Sequence, residues 1–250
     1  MKQILGAILF RISIWFTVPV YAVLSVMTYP LPYAWRYRFI TFWPRFHAWL
    51  VGPLCGVYYI VEGKEHLPKD AAIVMAKHQS TWETFAFPAI FPPHVWVLKR
   101  ELNWIPFFGW GIALLKPISI DRASGRKAVE QLIEQGRERL QSGLWVVIFP
   151  EGTRMPANTR GRYKMGGAIL ASETGFPVVP VAHNAGSFWP RQKFLIRPGV
   201  VRVVIGPAVE SKNKTATAIR DEVEAWIEHT MQDLEGRDEL APLMKTQHDR

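Results

Sequence analysis

The pattern of hydrophobic and polar positions divides the chain near Gly56. Before it, no residue from Ile12 to Ala34 is charged, a run long enough to cross a hydrocarbon core of about 30 Å as a helix. Lys2 precedes the run, Arg11 sits at its leading edge, and Arg36, Arg38 and Arg45 follow. Trp15, Tyr21, Tyr29, Tyr33, Trp35 and Trp43 lie in or beside it, where interfacial anchors belong. The run is too long for a signal-peptide core, and no small-residue cleavage site follows. Pro19, Pro30 and Pro32 are expected to kink or end a straight helix. Three readings stay open: a single span, a helix pair dipping into one leaflet, or a buried core helix. The first two place the chain at a membrane. Basic residues on both sides give no orientation.

After Gly56 the texture changes to short apolar runs alternating with amphipathic stretches. Val57–Val61, Ala71–Ala76, Val95–Leu98, Leu144–Phe149, Val178–Ala182 and Val200–Ile205 read as strands, most of them rich in β-branched residues. Val129, Leu132, Ile133 and Leu140 put an apolar stripe on a helix from about Ala123 to Gln141. Ile219, Val223, Trp226, Ile227, Met231 and Leu234 recur at helical spacing near the end. The stretch from Glu235 is charged and aperiodic, as a loose tail would be. The alternation predicts an α/β fold: a mixed, mostly covered sheet flanked by helices, preceded by a membrane-associated helical segment. Residues 1–56 form that anchoring segment in this reading, and residues 57–250 the α/β domain with its tail.

Composition narrows the partners. The 250 residues are 49 % hydrophobic, with a formal charge of +9, which favours a negative partner surface. Anionic lipid and nucleic acid both qualify by charge, but only lipid gives the uncharged N-terminal run a purpose. Cys55 is the single cysteine, so one chain can build neither a disulfide nor a cysteine-based metal site. The histidines besides His78 are scattered, and no metal is expected. The sequence lacks the Gly-x-Ser-x-Gly elbow of α/β hydrolases and the Gly-x-x-x-x-Gly-Lys-Ser/Thr phosphate loop.

Three segments carry candidate chemistry. The strand ending at Ala76 runs into Lys77-His78-Gln79-Ser80-Thr81-Trp82-Glu83. A histidine at the carboxyl end of a strand lies where α/β folds gather active sites, and imidazole suits proton abstraction near neutrality. Glu83 can face back across the turn to orient that ring. Ser80-x-x-Glu83 is also a capping box, so Glu83 has a purely structural reading, and a carboxylate has an oxygen for each task. In the second segment, Phe149-Pro150-Glu151-Gly152-Thr153-Arg154 leaves another strand. Arg154 offers a planar charged fork for phosphate, and Gly152 lets the backbone approach a ligand. Arg160, Arg162 and Lys164 add charge that a solvated loop would also carry. The third, Lys99 to Gly109, joins a basic strand end to an aromatic stretch that reads equally as core or membrane-facing surface.

Together these segments resemble the 1-acylglycerol-3-phosphate acyltransferases, a family defined by four ordered blocks, and the resemblance covers nearly the whole chain after Val57. The first, His with Asp five residues later, is His78 and Glu83 here; Glu is one methylene longer than the usual Asp. The second is Phe107-Phe108-Gly109-Trp110-Gly111 leading to Ile120-Asp121-Arg122. The third, Phe-Pro-Glu-Gly-Thr-Arg, is unaltered at 149–154, and the fourth is Val179-Pro180-Val181-Ala182. The unaltered third block, in order with the rest, is the specific signal.

The resemblance implies acyl transfer from acyl-CoA or acyl-carrier protein to the free hydroxyl of lysophosphatidic acid, giving phosphatidic acid. His78 is then the base and Glu83 its partner. Arg154 and Lys99 hold the acceptor phosphate, with Glu151, Gly152 and Thr153 also at the acceptor site. Amides after Gln79 are expected as oxyanion donors. No cofactor is implied beyond the thioester co-substrate, nor any nucleic acid. A membrane location is implied, with the site facing the cytoplasm; drawing a long acyl tail into water would cost on the order of 10 kcal/mol. Alternatives are a lyso-aminolipid acceptor or a non-catalytic lipid-binding protein on the same fold.

Overall fold

In the computed structural model, which describes residues 2–191 and 193–235, the uncharged N-terminal run does not form one rod. Helix α1 (Lys2–Met27) stops short of Pro30, and α2 (Tyr33–Cys55) begins directly after Pro32. Pro32, at φ −52°, occupies the N-cap, where its missing N–H leaves no bond unmade. Pro19 lies inside α1 without ending it. Of the three open readings, the helix pair has the observed geometry: the run from Ile12 to Ala34 is broken into a helical hairpin where the two later prolines fall. Only 17 % of the most apolar stretch of α1 is buried, so α1 is not a core helix.

The two helices run antiparallel in close contact. Gly6 faces the Leu54 carbonyl so tightly that a Cβ there would lie 1.8 Å from the oxygen. Farther along, the Tyr21 hydroxyl donates to Phe39 O at 2.5 Å. On the inner side, Phe10 is fully buried and meets Phe85 and Trp189 edge-on, at ring separations of 6.2 and 5.3 Å. Outward, the hairpin exposes large apolar groups, with Trp15 80 % and Phe16 74 % accessible.

The rest of the chain supplies β1 (Val57–Glu62), β2 (Ile73–Ala76), α3 (Trp82–Ile90) and β3 (His94–Lys99). It continues through α4 (Phe108–Ala113), β4 (Ile118–Ile120), α5 (Arg126–Gln141), β5 (Trp145–Ile148) and α6 (Gly166–Thr174). It closes with β6 (Val178–His183), α7 (Ala185–Phe188), β7 (Gly199–Ile205) and α8 (Ala216–Glu235). The seven strands form one sheet in the order β1-β7-β6-β2-β5-β3-β4, parallel except for β6 against β7. The mixed, covered sheet is as the sequence predicts. All six expected strands are present, with ends shifted by at most two residues, and β2, β5 and β6 are buried along their whole length. Such strands need apolar side chains on both faces, which is why they read as unbroken Val/Ile runs.

Two expectations need adjustment. The helix expected from Ala123 begins at Arg126, because Arg122–Ser124 is a 3-10 turn capped by Asp121, whose carboxylate accepts from Ala123 N at 3.0 Å. The short strand β4 was not foreseen. Helices α5, α6 and α8 pack against one another and onto β5, β2 and β6, while α2 packs on α3 and β1. The tail after Glu235 lies outside the described residues.

Candidate active site

Neighbouring parallel strands aim their carboxyl ends at one edge of the sheet, which decides where the chemistry gathers. β6 ends in His183, β2 runs into His78, β5 into 149–154, and β3 ends in Lys99. Three of the sequence-predicted segments thus meet because their strands are β2, β5 and β3, side by side.

His78 is held on every side except one. Its Nδ1 lies 2.7 Å from Glu83 Oε2, and its ring stacks on Phe149 at 3.9 Å and 14°. Its N–H donates to Glu151 Oε2 at 2.9 Å, and its carbonyl accepts from Met155 N at 2.7 Å. Nε2 is left to face the cleft that His78 lines. With Nδ1–H donating to the carboxylate, Nε2 carries the lone pair a base requires.

Glu83 is fully buried and contacts both the ring and the turn, but the N-cap of α3 is Thr81 and not Ser80, so the expected capping box forms only on its Glu83 side. Oε2 takes the imidazole, while Oε1 accepts from Gln79 N at 3.0 Å and Ser80 N at 2.6 Å. The Ser80 hydroxyl accepts from Trp82 N at 3.1 Å and donates to Trp189 O at 2.6 Å. The amides of His78, Gln79 and Ser80 are thereby committed to carboxylates. Of the amides after Gln79 expected as oxyanion donors, those of Ser80 and Trp82 are taken up, by Glu83 and by the Ser80 hydroxyl.

Behind the pair stands His183, which the sequence reading left among the scattered histidines. It is fully buried, 3.4 Å from Glu83 Oε1. Burial drives its pKa down against the pull of Glu83 and of the Lys77 carbonyl. The neutral ring donates from Nε2 to Lys77 O at 2.8 Å and accepts at Nδ1 from Ala185 N at 3.3 Å.

The cleft has a volume of about 910 Å³ and two characters. Besides His78, its wall carries the polar side chains of Lys99, Thr153, Arg154, Lys164 and Arg191 and the apolar ones of Leu98, Leu102, Ile105, Phe108, Val129 and Leu132. Arg154 Nη1 donates to the Thr81 hydroxyl at 2.8 Å, which ties it to the turn after His78. Arg191 Nη1 donates to Thr153 Oγ1 and Arg154 O, both at 3.2 Å. Gly152, at φ +69°, lets the Lys164 ammonium sit 2.6 Å from where a Cβ would stand.

Of the sequence-predicted residues, His78, Lys99, Gly152, Thr153 and Arg154 share the cleft, and Glu83 supports it from beneath. Glu151 departs from expectation. It does not line the cleft, and its buried side chain turns inward, 2.9 Å from Lys77 Nζ. A carboxylate there shares its charge with the buried ammonium and the His78 amide, so it builds the site's floor. Lys77, His183 and Arg191 went unread. Arg191 lies in a loop with no periodicity, and a lysine beside a histidine gives no sign of pointing into the core.

Residues 59–184 match the acyltransferase family. The chain is 44 % identical to a 1-acyl-sn-glycerol-3-phosphate acyltransferase of Pseudomonas aeruginosa, over 93 % of this chain and 92 % of that one. It is 34 % identical to a Saccharomyces cerevisiae protein of the same description, over 66 % of this chain and 56 % of that one. The fold matches the crystal structure of the 1-acyl-sn-glycerophosphate acyltransferase of Thermotoga maritima, with a TM-score of 0.79 and 23 % identity over 94 % of this chain and 97 % of that one. A family match over half of the chain and 44 % identity along nearly the whole length of both proteins mean that this chain belongs to the 1-acyl-sn-glycerol-3-phosphate acyltransferase family.

Proposed function

We propose that the protein transfers a fatty acyl group from acyl-CoA or acyl-carrier protein to the free hydroxyl of lysophosphatidic acid, with His78 as general base. The observation that carries this reading is the cleft itself: an imidazole with Nδ1 fixed by Glu83 shares one cavity with several cationic side chains and a large apolar lining. The acceptor hydroxyl gives its proton to Nε2 as its oxygen attacks the thioester carbonyl. The tetrahedral intermediate collapses with cleavage of the C–S bond, and the departing sulfur takes the proton back from His78. No acyl-enzyme is needed. A positioned base of this kind contributes about 10²–10⁴ in rate, and Glu83 steadies the imidazolium while it exists.

Arg154 and Lys99 hold the acceptor phosphate, with Thr153 and Gly152 shaping the turn that presents Arg154. This concentration of positive charge favours a phosphate-bearing acceptor over a lyso-aminolipid. Arg154→Ala is expected to raise the KM for lysophosphatidic acid by tenfold or more; an unchanged KM in steady-state assays would remove Arg154 from that site.

The hairpin sits in one leaflet in this reading. Its exposed apolar face, together with Trp104 (81 % exposed) and Trp110, exceeds what a soluble monomer leaves bare. Arg36, Arg38 and Arg45 stand ready for anionic headgroups. The cleft then opens on the cytoplasmic side, where thioester donors are supplied. Protease protection of sealed vesicles checks that orientation: cleavage of the catalytic domain only from the cytoplasmic side is expected.

A further inference from the structure

Glu228 belongs to α8, outside residues 59–184 that match the family, yet its carboxylate reaches the residue preceding His78. Its Oε1 accepts from Lys77 Nζ at 2.9 Å and from the Tyr163 hydroxyl at 2.9 Å. Lys77 Nζ also donates to Thr159 O at 3.0 Å and lies 2.9 Å from Glu151 Oε1. An ammonium has three donors, and here three acceptors surround it. The other oxygen of Glu151 holds the His78 N–H. The Lys77 main chain is fixed as well, its N–H donating to Val181 O at 3.0 Å and its carbonyl accepting from His183. A continuous set of contacts therefore runs from α8 to the backbone of His78 without touching the cleft.

Stability alone accounts poorly for such a cluster. Removing ions from water is costly, and well-packed apolar replacements are often neutral or stabilising. Positioning gives it a use, because misplacing a reacting group by 1 Å can cost about 10²-fold in rate. We propose that Glu228 is a positioning residue, setting the His78 main chain through Lys77 and Glu151. The proposal rests on the reading of His78 as the base.

Steady-state kinetics on the full-length protein in detergent test it, with thermal melts run alongside. Glu228→Gln is expected to lower kcat tenfold or more while leaving the KM for both substrates within twofold. Glu224→Gln is the control, since Glu224 sits one turn earlier on α8 and pairs with Arg160 instead; its kcat should stay at the wild-type value. Tyr163→Phe, which removes the second donor to the same carboxylate, is expected to lower kcat about threefold and serves if Glu228→Gln does not fold. An unchanged kcat in the folded Glu228→Gln or Tyr163→Phe protein, an effect confined to KM, or an equal loss in Glu224→Gln would overturn the proposal. Wild-type protein without transfer activity would instead overturn the acyltransferase reading beneath it.

Discussion

Glu83 shows how much one residue can be asked to do. Its two oxygens divide between three groups, so shortening or neutralising it cannot spare all of them. Glu83→Gln has one acceptor oxygen where two are needed. It is expected to cost at least tenfold in kcat together with about 1–3 kcal/mol of stability, since a buried donor is left unpaired. Circular-dichroism melts and initial rates measure both; wild-type rate at wild-type stability would reduce Glu83 to a spectator. Glu83→Asp should keep the cap and loosen the ring, lowering kcat with little change in melting. His78, Glu83 and the third block were legible as residues because their chemistry is tied to strand ends. The inward turn of Glu151 was not, since a carboxylate in a loop motif reads as ligand-facing until a buried partner such as Lys77 is seen.

At the scale of elements, the legibility follows burial. Strands covered on both faces announce themselves as apolar runs, whereas β4 has three residues and pairs only with β3 among the described strands. The N-terminal run was legible as apolar, but its fold into a hairpin depended on where Pro30 and Pro32 fall and on Gly6, whose close approach to Leu54 no hydropathy pattern records. Gly6→Ala should force α1 and α2 apart. A lowered melting temperature and faster proteolysis in the turn at 28–32 are expected; an unchanged melt would mean that the helices do not pack as described.

For the whole molecule, acid stability reports the core. His94 is completely buried, and burial, joined by the charge of Arg45, lowers its pKa from 6.5 to about 4 against the pull of its bond to the Pro92 carbonyl. The unfolded chain therefore binds a proton that the folded chain refuses between these values. Stability is full above pH 6.5 and falls as pH drops toward 4, by about 1.4 kcal/mol per unit, or about 3 kcal/mol in all for His94. Buried His183 acts in the same direction. His94→Gln should flatten the melting profile across this window, and an unaltered slope would assign the acid loss to other groups. The chain's +9 charge makes a second whole-molecule expectation, that binding to anionic vesicles weakens with salt but is not abolished while the apolar hairpin remains inserted.

The central claim is that His78 moves the proton of a lysophospholipid hydroxyl. Its most direct test is thiol release from acyl-CoA by detergent-solubilised protein, with and without lysophosphatidic acid, for wild type and His78→Ala. Release is expected only when the acceptor and His78 are both present, with His78→Ala lower by at least about 10² at an unchanged melting temperature. Acceptor-dependent release by folded His78→Ala at the wild-type rate would contradict it.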